Sequence, residues 1–188
     1  RVLAGVTGPR SGLVRARMAL ARGETAQARS ALLAAAPRLS GAEATRTIAL
    51  ATLIGRLGAD GVQLLGTALD RLSAGGPAGA VAALVDGSGA LPAAERAAVL
   101  GFAANVAEGA GLAADAERVQ RMLIAEHPTA PETPAALLAL ARTLSGRPDS
   151  AAEARALLER LILEHPRSPL VPQARRELER LAGRVPGP

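Results

Sequence analysis

The stretch "EHPRSPLVPQARRELER" (164–180) repeats the pattern of "EHPTAPETPAALLALAR" (126–142), 38 residues upstream. Each copy opens on Glu-His-Pro and places two further prolines three and six residues after the first. At the same offset Ala116 matches Ala154, Leu123 matches Leu161, Ile124 matches Ile162, Leu140 matches Leu178 and Arg142 matches Arg180. A fixed period of this length marks stacked supersecondary units. In "AAEARALLERLILEHP" (151–166), Ala154, Leu157, Leu158, Leu161 and Ile162 recur at helical spacing and make one apolar face. Glu153, Arg155, Glu159 and Arg160 fall largely on the other faces. Pro166 lacks an N–H and stops the helix. Pro169 suits the turn or the first turn of the next helix, where a missing donor costs nothing. Val171, Ala174, Leu178 and Leu181 then form a second apolar face, ended near Gly183. EHPxxPxxP therefore reads as the end of one helix, a rigid turn and the start of the next.

Outward from this junction the same units weaken. "LPAAERAAVLGFAANVAEGAG" (91–111) and "LAADAERVQRMLIAEHP" (112–128) read as a helix pair. "SGLVRARMALARG" (11–23) and "GETAQARSALLAAAP" (23–37) read as another, followed by a helix over 41–58. Between them, 59–90 is less regular: a helix ended by Gly75-Gly76, then a short glycine-weakened helix and a loop. The expectation is about ten helices in roughly five hairpins.

Composition agrees. Hydrophobic residues make up 49% of the chain, mostly Ala and Leu, while aromatics are 1%, Phe102 alone. Ala and Leu favour helix, whereas the strand formers are β-branched and aromatic. An Ala-rich interior buries little area per residue, which predicts a thin core. Cysteine is absent, so disulfides and thiolate chemistry are excluded. All 22 basic residues are Arg, and the net charge is +5. Residues 1–56 hold 9 Arg against 2 acids, 57–166 hold 8 against 13, and 167–188 hold 5 against 2. Basic ends flank an acidic middle, a pattern suited to anionic lipid, nucleic acid or an acidic protein surface, or to solvated helix faces.

Helix pairs with a glycine between the helices and a proline after the second resemble tetratricopeptide (TPR) repeats. The turns "LARGETAQA" (20–28) and "LSGRPDSAAEA" (144–154) carry that resemblance best. The junction "LILEHPRSP" (161–169) is similar to that of TPR variants in bacterial envelope proteins, such as outer-membrane assembly lipoproteins and periplasmic cell-division coordinators. Those proteins usually have Tyr where His165 stands, and typical repeats carry aromatics that this chain lacks. The resemblance implies a right-handed, all-α solenoid of antiparallel helix hairpins. The resemblance is carried by 112–182 and 11–58 and fades over 59–90, and the expected organisation is one array over 1–188: N-terminal repeats over 9–58, an irregular repeat over 59–90, C-terminal repeats with a capping helix over 91–182, and a tail over 183–188. The chain opens on Arg1 rather than Met, so a processed chain or a fragment preceded by further repeats is expected.

Residues that could carry chemistry are few. His127 and His165 are the only histidines, and each ends a helix, where a donor side chain meets the carbonyl end of the dipole. Equivalent positions in adjacent units lie ~10 Å or more apart, too far to share a metal. No Lys exists, which excludes a P-loop, and neither "DGSG" (86–89) nor "GAG" (109–111) follows a strand. The acids lie among arginines and read as ion pairs. No catalytic residue, metal site, cofactor or small-molecule substrate is expected, and aromatic stacking platforms for nucleic acid are missing.

The expected function is a non-enzymatic protein–protein interaction scaffold, or an assembly subunit of a bacterial envelope or membrane-associated complex. The alternative is the helical superhelix of a larger cell-wall enzyme. Partner contacts are expected at Phe102, Asn105 and Glu108, three apart along one helix, and at Arg142. Electrostatic docking is expected from Arg10, Arg15, Arg17 and Arg22 near the start and from Arg176, Arg180 and Arg184 on the last helix. The partner is expected to be a protein, with an anionic membrane surface as a second contact and nucleic acid disfavoured. The periplasm or membrane periphery is favoured over the cytoplasm. No run of 18 apolar residues predicts a membrane-spanning helix.

Overall fold

The computed structural model describes residues 9–183, with side chains from residue 12 onward. The described residues form ten α-helices and no strand. These are α1 (Pro9–Ala21), α2 (Thr25–Ala35), α3 (Gly41–Ile54), α4 (Ala59–Ser73) and α5 (Pro77–Gly87). They continue as α6 (Ala93–Gly109), α7 (Ala113–Glu126), α8 (Thr133–Ser145), α9 (Ala151–Glu164) and α10 (Val171–Ala182). The all-α, helix-hairpin reading holds. The chain divides into two compact units within α6, between Val99 and Leu100, where the sequence reads as one array. In a repeat fold each helix packs only on near neighbours, so such a division needs no linker.

In the second unit α7 packs on α8, α8 on α9 and α9 on α10, and α8 also touches α10. A contact that skips one helix is what stacked hairpins require. The predicted face of α9 is the buried one: Ala154, Leu158 and Leu161 are sealed, with Leu157 and Ile162 half-buried at its edges. Leu123, Leu137, Leu140 and Leu144 complete this core. Sealing one such leucine contributes about 1.5–3 kcal/mol.

The repeated junction is a repeated turn. His127 and His165 are C-cap residues whose backbone N–H groups donate to the Leu123 and Leu161 carbonyls at 2.9 and 3.0 Å. Their own carbonyls accept from Ala130 N–H at 3.1 Å and Ser168 N–H at 2.9 Å. Pro134 and Pro172 then occupy the first turns of α8 and α10. Within the turn, 126–134 against 164–172, the copies differ at one buried position. Thr133 donates its hydroxyl to the His127 carbonyl at 2.6 Å, and the residue 38 places on is Val171. Thr133→Val should therefore fit sterically and lose only the hydrogen bond. Chemical denaturation should show a loss of about 1 kcal/mol, whereas a loss too small to resolve would mean the hydroxyl contributes nothing.

The first unit is packed differently. α1 lies on α2, α3 on α2, α4 on α1 and α5 on α4. The loop from Gly55 to Gly58 carries the chain from the α2 side to the α1 side. Residues 59–90, which read as irregular, form α4 and α5 packed together, with a turn over 74–76 between them and a 3-10 turn at Ser88–Ala90 after them. Leu32, Leu65, Val81 and Leu84 seal this core. α1 ends on Gly23 in the left-handed region, at φ 73°. That conformation lets Glu24 N–H return to the Ala19 carbonyl at 2.9 Å. Gly58, ahead of α4, donates its N–H to Glu95 Oε2 at 2.9 Å, a carboxylate at the positive end of the helix dipole.

Candidate interaction surfaces

The N-terminal arginines do not share one face. Arg15 and Arg22 are seven residues apart and return to the same side of α1, while Arg17 lies about 200° from Arg15. Arg15 and Arg22 line a groove between α1 and α2, together with Arg38 beyond the end of α2. Arg17 turns to α4 instead. Its Nη2 donates to Asp70 Oδ1 at 3.1 Å and to Ser73 Oγ at 2.7 Å. Arg17 thus joins two helices, and its charge is matched by Asp70. Arg22 has a loose partner in Glu24 at 3.8 Å. The side chain of Arg10 and all of Arg184 lie outside the described residues.

The C-terminal stripe is also partly neutralised. Arg180 Nη1 donates to Glu177 Oε2 at 2.6 Å. Arg142, from α8, donates to Glu177 Oε1 through Nε at 3.1 Å and Nη2 at 3.0 Å. Glu177 is buried at 9% exposure, on the face where the sequence suggests Leu178, which is half-buried. One carboxylate thus ties two arginines and joins α8 to α10. Arg142 is exposed and reaches across to α10 through this ion pair. Arg176 is exposed and makes no ion pair among the described residues.

Phe102, Asn105 and Glu108 lie along α6, with Phe102 half-buried and the other two exposed. Glu108 accepts a hydrogen bond from Gln120 Nε2 of α7. Although Glu108 as a whole is exposed, its carboxyl is partly shielded from water, which pushes it above its usual range, and the Gln120 bond pulls it partly back. Gln120 is sealed at 1% exposure. It follows Val119 and precedes Leu123 by three, so its place on the apolar face was readable from spacing. The structure does not bring Arg142 to this set: its described partner is Glu177.

A network that sequence reading treated as scattered ion pairs joins α7, α9 and the loop after α8. Arg121 donates through Nε and Nη2 to Glu117 Oε1, both at 3.1 Å, and through Nη1 to Glu153. Arg147 Nη1 lies 2.9 Å from Glu117 Oε2. Hydrogen bonds from Arg121 and Arg147 hold Glu117 below the usual carboxylate range, and the Arg121 bond does the same for Glu153. Both carboxyls have folded pKa values below their unfolded ones. Their stabilising effect is present above the ordinary carboxylate pKa and lost as pH falls through the lowered values. Thermal melts from about pH 6 to about pH 3 should show an acid-side loss that shrinks in Glu117→Gln/Glu153→Gln. An unchanged acid limb would assign the loss to other groups.

The histidines stand at helix ends, as expected, but cap through their backbones. His127 Nε2 is 4.0 Å from Glu126 Oε2, too long for a hydrogen bond. Neither His127 Nε2 nor His165 Nε2 has a hydrogen-bond partner among the described residues. Among those residues no group of three or more His, Asp or Glu could hold a metal ion, and no helix is long and apolar enough to cross a membrane.

No protein-family profile matches the chain. No curated protein matches its sequence. Solved structures do match. A crystal structure from Podosopora anserina, described as a kinesin light chain with nearly identical TPR-like repeats, aligns with a TM-score of 0.50 at 19% identity. The alignment covers 94% of this chain and 87% of that one. A single-substitution variant of the same protein aligns equally well. With its helix hairpins, repeated EHP turns and these structural neighbours, the chain has a TPR-like, all-helical repeat fold.

Proposed function

We propose that the chain is a protein–protein interaction scaffold, an assembly subunit rather than an enzyme, working in a bacterial envelope or membrane-associated complex. The observation that carries the reading is the TPR-like hairpin fold, which presents helix faces and inter-helix grooves as surface. The polar groups serve that architecture: Glu177, Glu117 and Glu153 tie helices to one another, and His127 and His165 close helices. The envelope setting is supported by the "LILEHPRSP" junction (161–169) and by the basic N-terminal region.

Fractionation tests the setting. A membrane-peripheral subunit held by arginines should stay with membranes at about 0.05 M salt and leave them at about 0.5 M, as the Debye length shrinks. Retention at both salt levels, or absence from membranes at both, would contradict electrostatic docking.

A further inference from the structure

We propose that the groove between α1 and α2 is a docking site for an acidic segment of a partner protein. The proposal rests on the scaffold reading and names the surface and the partner's chemistry. The groove holds about 510 Å³ beside Gly12, Ala34 and Arg38. It continues past Arg22 into a second hollow of about 290 Å³, the two sharing Arg15, Gln27 and Ala31.

Its floor is smooth because the helices touch there. A Cβ on Gly12 would come within 2.5 Å of Ala35 Cβ, so α1 and α2 meet at their smallest residues. Ala31 and Ala35 extend this floor, and none of the described lining residues carries a branched aliphatic or aromatic side chain. An incoming helix or extended strand can approach closely. Gln27 and Ser30 are exposed on the wall and can hydrogen-bond a peptide backbone.

The charge is one-sided. Among the described lining residues, Arg22 and Arg38, with Arg15 beside them, outnumber one acid, Glu24. They belong to a stretch, 1–56, with 9 Arg and 2 acids. That field favours carboxylates and speeds their encounter. A planar bilayer does not fill a concave trough. A single-stranded nucleic acid would seek aromatic platforms, and the chain's only aromatic is Phe102, on α6.

The test uses the full chain and a short labelled peptide of repeated Glu-Leu-Ala-Glu, followed by fluorescence anisotropy. Binding should saturate and weaken about 5-fold or more in Arg22→Glu/Arg38→Glu. Ala34→Trp keeps every charge but fills the groove from an exposed position, and should weaken binding about as much. Arg155→Glu, at an exposed position on α9, should leave binding unchanged. Circular dichroism confirms that each variant is folded. Absence of saturable binding overturns the proposal. So does binding that ignores Ala34→Trp or weakens equally in Arg155→Glu, since either result describes diffuse charge attraction. A dT oligonucleotide or a phosphatidylglycerol vesicle that binds more tightly than the peptide and is blocked by Ala34→Trp would reassign the groove and refute an acidic peptide. Partner cross-links that survive Ala34→Trp would refute the groove and leave the scaffold reading standing, whereas a chain with no partner at all refutes the scaffold reading.

Discussion

Leu161→Ala should destabilise the unit from residue 100 onward by about 2–5 kcal/mol. Leu161 is fully sealed in α9, the helix that packs on both α8 and α10. It also supplies the carbonyl that accepts His165 N–H, so it sits one turn before the repeated junction. Truncation loses the transfer free energy of the side chain and leaves a cavity that rigid neighbours fill only in part. The aligned residue Leu123 is sealed in the same way and should behave alike. Leu163, two residues on, is 78% exposed. Leu163→Ala is the matched control, and its expected effect is within about 0.5 kcal/mol of zero. Urea denaturation of the three variants gives the answer. Equal losses at Leu161 and Leu163 would mean that α9 is rotated relative to the face described.

The second large effect is expected at Gly12. Gly12→Ala places a methyl 2.5 Å from Ala35 Cβ and 3.3 Å from the Ala31 carbonyl oxygen. Neither atom is the loose end of a long side chain, so relief requires α1 and α2 to separate. Alanine is the better helix former, which opposes the loss by up to about 1 kcal/mol. Overpacking should still prevail, with a net cost of about 1–3 kcal/mol. Gly66, on α4, has open space around its position. Gly66→Ala should therefore gain stability or leave it unchanged. Comparing the two melting curves isolates the clash from helix propensity, and a stabilised Gly12→Ala would show that α1 and α2 do not cross as closely as described.

Much of this architecture was legible at one junction. Pro128 and Pro166 cannot continue a helix, and Leu158 and Leu161 fall on one face by spacing alone, so helix ends and buried faces followed directly. Spacing identifies a face but not the element that covers it. Nothing in the sequence says that α4 packs on α1 while α3 packs on α2. The candidate surfaces were less legible for the same reason. Arg15 and Arg17 look adjacent in sequence but point to opposite sides of α1, which helix geometry could have shown. Glu177 looked like a charge beside an arginine stripe. Its burial depends on Arg142 arriving from α8, a long-range contact that no local pattern contains.

The central claim, that the chain works by holding another protein, is tested most directly by cross-linking with mass spectrometry on native membranes and lysate. The reagent must target carboxyls or arginines, because the chain has no Lys. The account predicts reproducible links to one partner protein, from α1 or α2 into an acidic segment of that partner. A chain that runs as a free monomer in both fractions and gives no heterologous link would contradict it.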